Sequence, residues 1–157
     1  RTYGVRRFYV VTPVQALRDL AARILAHWEI GYGALYNRTR KDALAIVSLT
    51  EDLDRTIVDV ERDAGAAPLL LVTSARSRQS TLTYAALRRM IRDGDRPLLV
   101  LFGTGWGLTE DVIGRADHRL PAIRGIGTYN HLSVRSAAAI VLDRVCGSRE
   151  EEEEART

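Results

Sequence analysis

With 157 residues, 46% of them hydrophobic and 27% charged, the chain has the makeup of one globular domain that buries about two thirds of its unfolded surface. The longest apolar runs, residues 68–72 and 137–142, fall far short of the roughly 18 residues of a membrane helix; the lone Cys146 has no internal disulfide partner, and no secretory signal opens the chain, so a reducing, cytoplasmic setting is expected. The formal charge of +3 conceals a basic body of +6, because residues 148–157 hold two arginines against five glutamates, and a basic body suits a polyanionic partner through phosphate neutralisation.

In chain order, Arg1-Thr2-Tyr3-Gly4 reads as the last turn of a helix with its terminating glycine, running into a strand over residues 5–11. A preceding helix and strand are expected upstream. Thr12 and Pro13 then open a helix on which Val14, Leu17, Ala21, Ile24 and Trp28 form one face at spacings of three and four. Residues 29–40 interleave Tyr32 and Tyr36 with Asn37, Arg38 and Arg40. That pattern fits a reader of single-stranded RNA, or equally a helix end and a loop with buried tyrosines.

A second strand is expected over residues 43–49. The next helix carries Leu53, Ile57, Val60 and Ala64 on one face, opens with Glu51 and Asp52 at the positive end of its dipole, and stops at Gly65. A strand over 68–73, a helix over 81–93 ending at Gly94, a strand over 97–102, a short helix near Thr109, a weaker strand over 118–123 and a last helix over 133–146 stopping at Gly147 complete the series. Such alternation argues for an α/β fold, a mostly parallel sheet with helices on both faces, whose ligands bind at the carboxyl ends of the strands. One domain over residues 1–147 and an acidic disordered tail over 148–157 are expected.

Two segments carry chemistry. Residues 101–110 place Gly103, Gly105 and Gly107 at every second position between a strand and a helix, which permits positive φ and close backbone approach to a ligand. No lysine followed by Ser or Thr closes the turn, so a phosphate-binding P-loop is excluded. A dinucleotide fold would carry its glycines after the first strand. Residues 120–136 form a second glycine-containing loop into the last helix, where Asn130 and Ser133 offer polar groups, with Ser133 the natural N-cap. His131 beside Asn130 is a candidate acid or base.

Together, the glycine turn, the loop with Ile123-Arg124-Gly125 and the helix start Asn130-His131-Leu132-Ser133-Val134 resemble the second and third motifs of the SPOUT RNA methyltransferases. Val72-Thr73-Ser74-Ala75-Arg76 is a further matching loop, and the likeness is closest to a small bacterial branch of that superfamily. The resemblance implies a C-terminal trefoil knot, a homodimer, and S-adenosylmethionine held by three loops: Thr73, Ser74 and Ala75; Phe102, Gly103, Thr104, Gly105 and Gly107; and Ile123, Gly125, Asn130, His131, Leu132 and Ser133. It implies methylation of tRNA or rRNA, with the ribose 2′-hydroxyl as the acceptor and a base nitrogen as the chemical rival. Arg124, Thr128 and Asn130 are the candidate catalytic residues, Thr128 and Asn130 aligning with the serine and asparagine of the family's third motif.

Two departures weigh against this pattern. The arginine proposed in the ribose-methylating branch to activate the hydroxyl aligns before Arg1, and Thr104 and Gly105 stand where many relatives carry a glutamate. An RNA-binding or dimerisation module that keeps the pocket without activity is therefore the competing class, and a nucleotide-binding regulator is a third. Arg76, Arg78, Arg88, Arg89, Arg92, Arg124 and Arg135 are candidates for phosphate contacts. No metal is expected.

Overall fold

The computed structural model describes residues 1–75, 80–127, 129 and 131–147. The chain divides into two compact units, Arg1–Gly65 and Ala66–Thr157.

The first unit runs β1 (Phe8–Val11), α1 (Gln15–Glu29), α2 (Tyr32–Tyr36), α3 (Arg38–Leu44), β2 (Val47–Thr50) and α4 (Leu53–Ala64). Strands β1 and β2 are parallel, with Phe8 opposite Val47 and Val11 opposite Thr50, and α1 to α3 provide the long crossover that parallel pairing demands. Before β1, Gly4 adopts a left-handed φ of 72° and its amide donates to the Arg1 carbonyl at 2.9 Å, the turn expected at this position. Helix α4 has the limits its sequence announces: the Asp52 carboxylate accepts from the Arg55 amide at 2.7 Å, and Gly65 closes the helix at φ 75°. Thr50 and Thr56, each 1% exposed, join the end of β2 to α4 through their hydroxyls at 2.7 Å. Because Thr56 Oγ donates to the Asp52 carbonyl at 2.8 Å, its proton is committed and Thr50 is the donor to Thr56.

Three expectations change here. The strand placed over residues 43–49 begins only at Val47, because the Asn37 side chain caps the Arg40 amide at 3.0 Å and winds residues 38–44 into α3. The tyrosines are not buried in a loop: Tyr32 and Tyr36 lie on α2, each 75% exposed. The strand placed over residues 5–11 begins only at Phe8; along α1 no residue is buried, and Val14, Leu17 and Ile24 are about half exposed.

The second unit runs β3 (Leu69–Val72), α5 (Tyr84–Asp93), β4 (Leu98–Leu101), α6 (Glu110–Gly114), β5 (His118–Arg119) and α7 (Val134–Cys146). Its strands are ordered β4-β3-β5, all parallel. Leu70, Leu71 and Val72 are consecutive and buried, so both faces of the central strand are covered, as in sheets of this class. Leu71 forms the core with Leu87 of α5, Leu120, and Val141 and Val145 of α7.

Strand β5 stops after two residues, shorter than the expected 118–123. The Leu120 amide makes a last bond to the Val72 carbonyl at 3.0 Å, and Pro121 then has no N–H to extend the ladder. Side chains secure the short strand. Asp117 Oδ2 accepts from the Leu70 amide at 2.7 Å, and Thr81 exchanges two bonds with Arg119, its hydroxyl accepting from the Arg119 amide at 2.9 Å and its amide donating to the Arg119 carbonyl at 3.1 Å. Thr81 is thus engaged outside the helix, and α5 starts at Tyr84 behind the cap Thr83, later than residue 81. Ser133 caps α7 as expected, accepting from the Ser136 amide at 3.2 Å.

Every strand pairing among the described residues is parallel, and the pairings form two sheets, one per unit, where a single sheet was expected. No helix among the described residues is long and apolar enough to cross a membrane. The tail over residues 148–157 lies outside the described residues.

Candidate functional site

Three loops leave the carboxyl ends of β3, β4 and β5. Because β3 lies between the other two strands, the loop of Thr73, Ser74 and Ala75 emerges between the glycine turn and the loop to α7. This is the edge at which parallel sheets bind ligands.

The first loop is tied to the second at its base. The Thr73 amide and hydroxyl both donate to the Leu101 carbonyl, at 3.2 and 2.9 Å. Beyond Leu101, Phe102 packs half-buried on the core and Gly103 opens the turn. A Cβ on Gly103 would stand 2.5 Å from the Leu108 nitrogen and 2.7 Å from the Gly107 Cα, so the chain folds back on itself only without a side chain there. Gly105 and Gly107 have φ of 54° and 92°, and the Gly107 amide donates to the Thr104 carbonyl at 3.0 Å. The demand for glycine is therefore steric at Gly103 and conformational at Gly105 and Gly107. Beside Gly105 and Gly107 the space is open, with nothing within 4 Å of the position a Cβ would take.

The third loop is anchored by Leu120 in the core, by the Pro121 carbonyl accepting from the Tyr84 hydroxyl at 3.2 Å, and by Ile123 packed on the core. Arg124, Gly125, Ile126 and Gly127 then rise into solvent. Tyr129 and His131 meet edge to face at 5.5 Å between ring centroids. Leu132 is 45% exposed, and the Ser133 side chain is committed to capping α7. Thr128 and Asn130, two of the three candidate catalytic residues, lie outside the described residues, as do Arg76 and Arg78.

The structure thus gathers Thr73, Ser74, Ala75, Phe102, Gly103, Thr104, Gly105, Gly107, Ile123 and Gly125 on loops from adjacent strand ends, with His131, Leu132 and Ser133 where the third loop enters α7. One candidate cation leaves the set. Arg88 Nη1 donates to the Arg144 carbonyl at 2.7 Å, and the Arg144 guanidinium lies 5.2 Å from the centre of the Tyr84 ring, so both arginines are built into the contact between α5 and α7. Arg89, Arg92, Arg124 and Arg135 are exposed. Asp117, which fixes the register of β5 from the opposite end of the strand, had no local sequence signal, since its partner Leu70 is 47 residues away. Among the described residues, no group of three or more His, Cys, Asp or Glu side chains is arranged to hold a metal ion.

The profile of a SAM-dependent RNA methyltransferase family matches residues 1–147. The chain is 40% identical over 145 residues to an uncharacterized protein of Aquifex aeolicus (strain VF5), covering 92% of this chain and 71% of that one. It is 42% identical to a tRNA (guanine-N(1)-)-methyltransferase of Oleidesulfovibrio alaskensis and 40% identical to one of Nitratidesulfovibrio vulgaris, each over 146 residues. Those two matches take 93% of this chain but 34% of each relative, so the chain spans about a third of their length. Among solved structures, a probable methyltransferase from Bordetella pertussis Tohama I superposes with a TM-score of 0.61 at 17% identity, over 92% of this chain and 80% of that one, a likeness of fold. The family match runs through both compact units and all three loops, and the chain belongs to the SAM-dependent RNA methyltransferase family.

Proposed function

We propose that this chain transfers a methyl group from S-adenosylmethionine to tRNA, with the cofactor held at the carboxyl end of the β4-β3-β5 ladder. The observation that carries the reading is the emergence of the three glycine- and hydroxyl-bearing loops from three adjacent parallel strand ends. The residues there fit the cofactor. The glycine turn leaves open space where Cβ atoms would stand at Gly105 and Gly107, and the main-chain groups of a glycine turn can approach a flat ligand closely.

When bound, the cofactor supplies an activated methyl group on a sulfonium. The protein's share is to align the acceptor and take up its proton. Arg124 is exposed on the third loop and is assigned to position the RNA there, with Thr128 and Asn130 assigned to the acceptor. A SPOUT-type knot and a homodimer belong to the same reading. The dimer is supported by the exposure of Trp106, 94%, and Ile126, 111%, on two of the loops, with Leu132 and Val134 exposed where the third enters α7; apolar side chains grouped in this way mark surfaces that meet a partner.

For the acceptor, a guanine nitrogen is the preferred assignment. It is the acceptor in the names of the two tRNA-methylating relatives, and its N–H is far more acidic than a ribose hydroxyl, so it asks less of a general base. The ribose 2′-hydroxyl is the second reading, favoured by the motif resemblance.

The test is incubation of the purified chain with methyl-labelled S-adenosylmethionine and unmodified tRNA, followed by nucleoside mass spectrometry. A methyl group that stays with the guanine base on cleavage of the glycosidic bond supports the first reading, and one that stays with the ribose supports the second. Cofactor binding without transfer would leave an RNA-binding module. Failure to bind S-adenosylhomocysteine would overturn the assignment of the site.

A further inference from the structure

We infer that the surface formed by the end of α1 together with α2 and α3 is a second, cofactor-independent site that holds single-stranded RNA by base stacking. This rests on the proposed RNA substrate and deepens it, because the residues that form this surface belong to the first unit and are not residues of the three cofactor loops.

The inference starts from two exposed tyrosines. At spacing four on α2, Tyr32 and Tyr36 lie on the same side of the helix; their rings stack at 6.2 Å between centroids and 21° between planes, and each is 75% exposed. Two large parallel rings facing water are costly to leave uncovered, and a nucleobase is a flat partner that covers them. The helix that carries them is seated tightly. Gly33 is buried, and a Cβ there would fall 2.7 Å from Trp28 Cε3, so α2 rests against the indole ring.

Trp28 is itself shared. The Arg40 guanidinium from α3 lies 4.6 Å from the indole centre, a cation–π contact that restrains the arginine while leaving the donors at its edge for a phosphate. On the α1 side, Trp28 and His27 line an open cleft of about 280 Å³ with Leu20, Arg23 and Ile24. Residues 23–42 carry four basic side chains, Arg23, Arg38, Arg40 and Lys41, all exposed, against two acidic ones, Glu29 and Asp42.

An exposed stacking pair on a short segment rich in exposed cations matches the way sequence-tolerant single-strand readers work, the rings taking bases and the cations taking the backbone. The tyrosine pair takes one base, Arg38, Arg40 and Lys41 take the adjoining phosphates, and the cleft at Trp28 takes the neighbouring nucleotide. Ile30 and Leu35, 85% and 82% exposed, would also suit a protein partner. The surplus of positive charge favours the nucleic acid.

The test uses the whole chain and a fluorescent single-stranded RNA of roughly 12 nucleotides, within the range one such surface covers, beside the same strand annealed as a duplex. Replacing both tyrosines by alanine (Y32A with Y36A) is expected to weaken single-strand binding roughly tenfold or more and to leave duplex binding nearly unchanged. The paired change to phenylalanine keeps the rings and is expected to keep the affinity. Arg38→Ala should weaken binding and lower the slope of log K against log salt by about 0.7.

Affinity for S-adenosylhomocysteine should be the same in all of these variants. That separates this site from the cofactor site: a wild-type chain that binds the RNA but not S-adenosylhomocysteine would overturn the proposed function and leave the stacking surface standing. Unchanged single-strand affinity in the alanine pair overturns the inference. So does equal loss in the phenylalanine pair, and so does an alanine pair that changes only self-association in sedimentation, which would make the surface a protein interface.

Discussion

Replacing Gly103 by alanine puts the proposed cofactor turn to its most direct test. A Cβ at this position would stand 2.5 Å from the Leu108 nitrogen and 2.7 Å from the Gly107 Cα. Both neighbours are main chain, with no flexible side chain to swing away. Restoring an ordinary van der Waals separation requires the two sides of the turn to part by about 1 Å. A displacement of that size in a positioning element lowers the function it serves by about 100-fold, close to 3 kcal/mol.

Gly105 provides the contrast. Nothing lies within 4 Å of its virtual Cβ and its φ is 54°, so Gly105→Ala meets only the left-handed backbone penalty of about 1 kcal/mol, equivalent to about a fivefold loss. The measurement is calorimetric titration of S-adenosylhomocysteine into the wild-type chain and each variant, with thermal unfolding in parallel. The expected order is wild type, then Gly105→Ala, then Gly103→Ala weakest. The melting temperature should fall by a few degrees in each variant, more for Gly103→Ala, because both strains are carried by the folded chain, so the titrations are made well below every transition. If Gly103→Ala binds as tightly as wild type, the turn is not part of the cofactor site.

Three further outcomes follow from the packing and the titrating groups. Leu71→Ala, at a side chain with 0% exposure in the core of the second unit, should cost about 2–5 kcal/mol and lower the melting transition by roughly 5–15 °C. In the buried threonine pair, Thr56→Val removes two hydroxyl contacts and strands the Thr50 donor, whereas Thr50→Val leaves Thr56 bonded to Asp52; urea unfolding should show about 1–3 kcal/mol lost in the first and about 1 kcal/mol in the second, and the reverse order would refute the donor assignment. Burial, and then the negative charges of Asp63 and Asp59, push the Tyr9 hydroxyl above its ordinary value of 10.0. Its contribution to stability is therefore complete below the unfolded value near 10 and is lost as pH rises through the higher folded value, so stability measured by urea unfolding above pH 10 should fall more steeply in wild type than in Tyr9→Phe.

What the sequence disclosed depended on how local the governing interaction was. Helix α4 was legible at both ends because its cap and its stop, Asp52 and Gly65, act within a few residues, and Ser133 at the start of α7 was legible for the same reason. The buried run of β3 was visible as consecutive apolar residues. The start of α5 was not, because Thr81 is engaged by Arg119, 38 residues further on. In the glycine turn the spacing revealed that all three glycines matter, but only the coordinates distinguish the close approach at Gly103 from the positive φ of Gly105 and Gly107. The residues 29–40 segment offered two readings, and only side-chain exposure separates them, since the sequence pattern of α2 is the same whether its tyrosines face inward or outward.

The acceptor assignment turns on a question of length. The two tRNA (guanine-N(1)-)-methyltransferases match this chain over 34% of their residues, so about two thirds of each lies outside the match and their named activity is a property of the longer proteins. The Aquifex aeolicus relative, matched over 71% of its own length, shows that the matched region also occurs in a protein not much longer than the match. A unit found in both settings must carry what is common to them. Methyl transfer to tRNA by this chain alone would therefore assign an acceptor to the matched region itself, and a guanine product would carry the relatives' chemistry into this third of their length.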